Sequence, residues 1–323
     1  MEEVFYIQNQ KQFHKWVFKA FRYQYENNLV YQTFCNHLQR NPSNVKEFTD
    51  LPFLPISFFK SHEVVSGSFN PQSVFTSSGT TGQTTSKHLV KDLALYEQSF
   101  LSGFSHFYGN LQDYCILALL PSYLEREGSS LVYMAKEWIK TSAQPNNGFY
   151  LHDYEKLATT LLQLEKEQQP TILLGVTYAL LDLAEQFPMS LMHTIVMETG
   201  GMKGKRKEMV RSELHETLQK AFQTPSIHSE YGMTELLSQA YSFGNGIFEC
   251  PPWMRVFARQ TEDPLSMANY GKTGGINIID LANWHSCSFI ATEDLGKVYE
   301  NGSFEILGRF DFSDVRGCNL MVQ

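Results

Sequence analysis

Three nearly continuous apolar runs, Tyr114–Leu120, Thr171–Val176 and His193–Met197, constrain the fold most. Each leads into small or polar turn residues and then a helical pattern. Pro121-Ser122 follows the first, the stretch Tyr178–Phe187 the second, and Glu198-Thr199-Gly200-Gly201 the third. Beyond that last turn, Val210, Leu214, Leu218 and Phe222 recur at every fourth position with charge between them, the spacing of an amphipathic helix. A strand that is apolar on both faces has to be covered on both. Such strands alternating with helices imply a mostly parallel sheet between helical layers, an α/β architecture. In sheets of that kind ligands bind beyond the carboxyl ends of the strands, where the Gly, Ser and Thr turns of this chain fall.

The flanking regions read differently. Phe13, Trp16, Val17, Phe18, Phe21, Tyr31, Phe34, Cys35 and Leu38 have the spacing of two buried helix faces. The prolines of residues 51–60 keep their predecessors out of the helical region, so this stretch is predicted to be extended and to lead into a short strand at Val74–Thr76. After Pro251-Pro252 come short segments at 275–279, 288–291 and 303–307 separated by turns, the pattern of an antiparallel sheet or small barrel. The expected division is an α/β core with a helical start over residues 1–250 and a smaller β-rich part over 251–323.

Composition narrows the function. A formal charge of −8 argues against a general nucleic-acid binder, which needs a positive footprint. The acidic start, MEEVFYIQNQ, is unlike a signal peptide, and no apolar run approaches the ~20 residues of a membrane span. The five cysteines lack paired spacing, which reads as reduced thiols in a cytoplasmic protein. His285 and Cys287 lack a second ligand pair and read as ordinary strand residues.

The chemistry concentrates in a few short runs. Ser77-Ser78-Gly79-Thr80-Thr81-Gly82 continues to Lys87 through further hydroxyl residues. Glycines that expose backbone N–H groups, with hydroxyls beside them, suit phosphate oxygens, although the spacing is not that of a P-loop. Ser229-Glu-Tyr231-Gly232-Met-Thr234-Glu235 follows a β-like run at 225–228 and sets a ring, a hydroxyl and a carboxylate at fixed spacing. Together these can grip a base, a phosphate and a metal. The turn Glu198-Thr199-Gly200-Gly201, the run Thr292-Glu293-Asp294-Leu-Gly296 and the run Gly308-Arg309-Phe-Asp311 complete the set.

In this order, the motifs resemble those of the adenylate-forming superfamily, which activates carboxylates by attack on the α-phosphate of ATP. The resemblance implies an adenylate-forming N-terminal-type domain, with mostly parallel sheets covered by helices and a smaller antiparallel β subdomain. It places the 77–82 run and Lys87 at the phosphates, Thr199, Gly200 and Gly201 beside adenine, and the Tyr231 ring on adenine with Gly232 next to it. Thr234 would meet the α-phosphate, Glu235 hold Mg²⁺, Asp294 take the ribose hydroxyls and Arg309 contact ribose or phosphate. Glu293 departs from the family, which usually has glycine there. Asp311 matches the hinge before a lid domain; only 12 residues follow it, so the lid and its lysine are expected to be absent.

The tail from Gly308 through Arg316, Gly317 and Cys318 to Leu320-Met321 is similar to that of the acyl-protein synthetase (LuxE-like) family, which activates fatty acids. The resemblance implies that Cys318 accepts the acyl group from acyl-AMP, and Arg316 nearby would favour its thiolate. It also implies onward delivery to an acyl-accepting reductase or carrier protein. The alternatives are an aryl- or acyl-coenzyme A ligase of the phenylacetate type and a non-catalytic nucleotide-binding subunit of a partner enzyme. Lys203, Lys205, Arg206 and Lys207 read as a solvated helix start, and the Ser129-Ser130-Leu131 region as one facing the acyl pocket in relatives.

Overall fold

The computed structural model describes residues 2–77, 84–120, 128–200 and 209–310. Helices α1 (Gln10–Asn27) and α2 (Leu29–His37) bury Phe13, Val17, Phe21, Tyr31 and Cys35, as the aromatic spacing predicts. Next come β1 (Leu54–Pro55), the short α3 (Phe58–Ser61) and a hairpin of β2 (Ser73–Thr76) with β3 (Lys87–Val90). The 51–60 stretch is therefore extended only to Pro55, and a helical turn begins where its prolines end.

Helices and strands then alternate: α4 (Leu93–Tyr108), β4 (Cys115–Leu119), α5 (Ser130–Ser142), β5 (Gly148–Phe149), α6 (Tyr154–Lys166), β6 (Thr171–Gly175), α7 (Thr177–Gln186), β7 (Thr194–Glu198), α8 (Arg211–Phe222) and β8 (His228–Tyr231). The remainder is all strand: β9 (Ala240–Ser242), β10 (Ile247–Glu249), β11 (Met254–Arg259), β12 (Thr273–Asp280), β13 (Phe289–Val298) and β14 (Phe304–Arg309). Among the described residues no helix is long and apolar enough to cross a membrane.

Strands β5, β4, β6, β7 and β8 pair in parallel in that order. Every residue of β4 and β6 is buried, which follows from their unbroken apolar sequence. The order continues β9, β10, β14, β13, β12, β11 with antiparallel pairing throughout. The parallel and antiparallel parts thus share one hydrogen-bonded sheet, and β8 is the strand at which the direction changes. Helices α1 and α2 close one end of it. The buried Gln24 amide donates to the carbonyls of Asn283 and Trp284 at 3.1 and 3.0 Å, and the Tyr31 ring stacks on Phe289.

Several local expectations are displaced. Val210 caps α8 from outside and is 68% exposed, so the buried stripe begins at Leu214. The strand predicted at 225–228 begins at His228 and carries Ser229, Glu230 and Tyr231 itself. The 292–296 run lies inside the ten-residue β13 rather than at a turn. His285 and Cys287 occupy the turn between β12 and β13, not a strand. Cys287 is buried there with its thiol toward the Phe289 carbonyl, and among the described residues no group of three or more His, Cys, Asp or Glu could hold a metal.

Candidate active site

The hairpin β2–β3 presents the two ends of the Ser/Thr/Gly run. Thr76 pairs with Lys87, the Ser77 N–H donates to the Ser86 carbonyl, and the Ser86 N–H donates to Ser77 Oγ at 2.9 Å. The neck also leans on Gly128, whose carbonyl accepts from the Thr76 N–H at 2.8 Å. Gly128 has φ +84°, and a Cβ there would lie 3.0 Å from the Val74 carbonyl, so glycine suits both its conformation and the close approach. Ser78, Gly79, Thr80, Thr81 and Gly82 lie outside the described residues, as do Gly201, the 203–207 basic cluster, Arg316 and Cys318.

Successive residues of a strand point to opposite faces. Lys87 is exposed, whereas His88 is buried and its Nδ1 lies 2.8 Å from the Thr234 carbonyl. The fold therefore brings His88, and not Lys87, against the segment carrying Thr234 and Glu235. Burial lowers the His88 pKa to about 4, so the ring is neutral and Nδ1–H donates to that carbonyl. Asn283 holds the next carbonyl, with Nδ2 2.7 Å from the Glu235 oxygen. Asp280 accepts from the backbone N–H groups of Leu237 and Ser238 at 2.8 and 3.0 Å. This short segment is thus pinned from the hairpin on one side and from the end of β12 on the other. His88, Asp280 and Asn283 have no motif around them, and only tertiary structure reveals their part.

Glu235 is 5% exposed, and burial raises its pKa. Mg²⁺ usually takes one or two protein carboxylates and draws its other ligands from substrate phosphates and water. A buried carboxyl beside the neck of the phosphate run fits that division of labour. Ser86 is close enough to hydrogen-bond to Glu235, which joins the neck to the Thr234–Glu235 segment directly.

Tyr231, Asp294 and Arg309 do come together, across three strands. The Tyr231 hydroxyl donates to Asp294 Oδ2 at 2.7 Å, and Arg309 Nε lies 3.3 Å from Oδ1. Asp294 and Arg309 are direct register partners on β13 and β14. The Tyr231 ring packs edge-on against Phe304 and retains 9% exposure, while the Arg309 side chain is 77% exposed. Arg259 donates to the Thr292 carbonyl at 2.6 Å, bracing the strand that carries Asp294. Each Asp294 oxygen has lone pairs beyond these contacts, as acceptance of ribose hydroxyls requires.

Thr199 and Gly200 stand at the carboxyl end of β7, next to Tyr231 at the end of β8. Gly200 has φ +68°, in the left-handed region. Its N–H donates to Glu198 Oε2 at 2.8 Å, and its carbonyl accepts from the Thr177 N–H. Glu198 also meets Arg211 Nε at 3.3 Å and His215 Nε2 at 3.6 Å. Burial by itself would raise the Glu198 pKa, but His215, Arg211 and the Gly200 N–H outweigh it and hold the value at about 2. Next to it, burial and the Glu198 charge push Glu230 up to about 7, despite a 2.5 Å hydrogen bond from Thr199 Oγ1. Gly232 is tightly placed, since a Cβ there would lie 2.5 Å from Glu230 Oε1. Glu230 sits within a motif read for its neighbours. Its own signal was a charged residue in a strand otherwise set among buried positions.

Comparison with known proteins bears on the fold and on part of the sequence. Residues 3–103 match the model of the family described as acyl-protein synthetase, LuxE. No curated protein sequence matches the chain. Among solved structures, the thioesterification-state complex of 2-hydroxyisobutyryl-CoA ligase with 2-HIB-AMP and CoA aligns at a TM-score of 0.70 and 14% identity, covering 94% of this chain and 68% of that one. The open conformation of the same ligase aligns at 0.69 and 12% identity, with 94% and 70% covered. ATP-bound MatB from Rhodopseudomonas palustris aligns at 0.55 and 17% identity, with 73% and 47% covered. The chain therefore spans about half the length of MatB and about two thirds of the length of the other ligase. In fold this chain is similar to these ligases, and over residues 3–103 its sequence matches the acyl-protein synthetase family model.

Proposed function

We propose that this protein activates a carboxylic acid with ATP to acyl-AMP and pyrophosphate, and that Cys318 then receives the acyl group. The observation that carries the first step is the meeting of Tyr231 at the end of β8 with Asp294 inside β13 and Arg309 at the end of β14, beside the Thr199–Gly200 turn after β7. Asp294 and Tyr231 hold ribose and adenine, while Gly200 lets the backbone lie close to the base. A carboxylate oxygen of the acid bonds to the α-phosphorus as the bond to the pyrophosphate oxygen breaks. The Ser77–Gly82 run and Lys87 supply donors for the phosphates, with Thr234 at the α-phosphate, and such preorganised donors act where charge develops. Mg²⁺ held by Glu235 would add its positive charge to the same phosphate oxygens.

Acyl transfer follows by attack of the Cys318 thiolate on the acyl-AMP carbonyl carbon, which forms a thioester and releases AMP. This step rests on the resemblance of the tail. A fatty acid as substrate and a reductase or carrier protein as the final acceptor rest on the family resemblance, and a cytoplasmic location on the unpaired cysteine spacing. The two solved neighbours include a ligase bound to CoA, so a free coenzyme A thiol is the competing acceptor.

One experiment separates these outcomes. Acid-dependent exchange of labelled pyrophosphate into ATP reads adenylation alone. Incubation with labelled fatty acid, ATP and Mg²⁺ should leave label on the protein that neutral hydroxylamine releases. Cys318→Ser should abolish that label and keep exchange. Label on another cysteine, or release of acyl-CoA without protein labelling, would overturn the role of Cys318. Absence of exchange with every acid tried, with ATP bound, would favour a nucleotide-binding subunit.

A further inference from the structure

Strand β8 has two working faces. Ser229 and Tyr231 point to one, where Tyr231 meets Asp294 and Ser229 Oγ lies 3.4 Å from His215. His228 and Glu230 point to the other. There the Tyr108 hydroxyl of α4 lies 3.2 Å from His228 Nδ1, and Tyr241 of β9 is the direct cross-strand partner of Glu230. Tyr231 and Asp294 give the first face to the nucleotide. On the second face Phe107 and Tyr108 of α4 pack against Tyr241, and Glu230 lies nearer the carboxyl end of the sheet than His228.

We propose that Glu230 is a specificity-determining residue that accepts a hydrogen bond from a hydroxyl or amine carried on the acyl chain, so that the preferred acid is a hydroxy- or amino-substituted one rather than a plain alkanoic acid. The inference rests on the adenylation reading and names its substrate class. The carboxyl is placed for it: Oε2 lies 2.5 Å from Thr199 Oγ1 at the end of β7, and Oε1 lies over Gly232, just past the end of β8. It therefore turns toward the carboxyl ends of the parallel strands, where open α/β sheets bind ligands.

Its neighbour shows how differently the two carboxyls are treated. Glu198 has Arg211, His215 and a backbone N–H. Glu230 is equally enclosed, at 8% exposure, and among the described residues its hydrogen bond is from Thr199, with no cation paired to it. Among the described residues the Tyr241 hydroxyl is also buried with no partner. Burying polar groups without partners is unfavourable, and a purely hydrocarbon chain against this face would add to that cost. A substrate hydroxyl or amine would relieve it. Burial holds the Glu230 pKa near 7, so the carboxyl can accept from a neutral donor or ionise against an ammonium group.

The test uses pyrophosphate exchange by the full chain. Butanoate, octanoate, dodecanoate and hexadecanoate are each compared with their α-, β- and ω-hydroxy and amino derivatives. The wild-type protein should favour one substituted acid over its plain parent by about tenfold or more in kcat/KM, since sites built to hydrogen-bond a substrate group reject analogues lacking it. Glu230→Leu should remove or invert that preference, and Glu230→Gln should retain a hydroxy acid better than an amino acid. Equal rates for plain and substituted acids in the wild type would overturn the proposal without any variant, and so would a preference that survives Glu230→Leu. Exchange with no acid at all, while ATP still binds, removes the adenylation reading and this proposal together; exchange without discrimination removes this proposal alone.

Discussion

Replacing Glu198 by glutamine removes the charge that organises the turn after β7. The carboxylate is 2% exposed and faces the Gly200 N–H at 2.8 Å, Arg211 at 3.3 Å and His215 at 3.6 Å. Lowering its pKa from 4.5 to about 2 corresponds to about 3 kcal/mol of preference for the ionised form in the native state. The folded value lies below the unfolded one. This contribution is therefore fully present above the unfolded pKa of 4.5 and is lost as pH falls toward the folded value of about 2. By linkage, about 1 kcal/mol of it should be gone by about pH 3.5. Glutamine keeps an oxygen for Gly200 but leaves Arg211 without its buried anion. At about pH 7, urea unfolding should show Glu198→Gln to be less stable by roughly 2–4 kcal/mol. The gap should narrow by about 1 kcal/mol at about pH 3.5, where only the wild type loses the charge. A gap of the same size at both pH values would refute the reasoning, because it would mean that no stabilised carboxylate is present.

Two further outcomes test the nucleotide face. Asp294→Ala should weaken ATP by about 1.5–3 kcal/mol in calorimetric titration, the range for hydrogen bonds to a charged group, and unchanged affinity would remove the ribose assignment. Glu235→Gln should still bind nucleotide but lose most pyrophosphate exchange across a Mg²⁺ titration; wild-type exchange would assign the metal to another residue.

What was legible in the sequence follows the range of the forces involved. The parallel strands were visible because β4 and β6 are buried on both faces, and burial on both faces leaves no alternation to misread. The ends of elements were less visible. Val210 continues the four-residue spacing of α8 yet stays 68% exposed, because a helix cap is set by backbone conformation rather than by apolarity. The Tyr231, Asp294 and Arg309 grouping was legible only through its likeness to known motifs. The three residues stand far apart in sequence and meet because β8, β13 and β14 lie in one sheet. His88, Asp280 and Asn283 were not legible, since each acts on the backbone of the 234–238 segment, and no sequence pattern records a contact with a distant carbonyl or N–H.

The change of strand direction at β8 explains why the chemistry gathers there. Parallel pairing with β7 brings the Thr199–Gly200 turn to the same end of the sheet as Tyr231, since parallel strands share their carboxyl ends. Antiparallel pairing with β9 lets the chain return into the strands that carry Asp294 and Arg309. An all-parallel sheet would put only turn residues at this end. An all-antiparallel one would have no row of carboxyl ends to form a crevice. The junction supplies both turn backbone for a flat ring and mid-strand side chains for ribose. Because β8 alternates its side chains, Tyr231 and Glu230 fall on opposite faces within four residues, from His228 to Tyr231. Glu198 and Glu230 stand on those opposite faces, and among the described residues Glu198 has Arg211 and His215 beside it while Glu230 has no cation. The proposal that Glu230 meets a polar group of the acid rests on that difference and on its place on the face away from Tyr231.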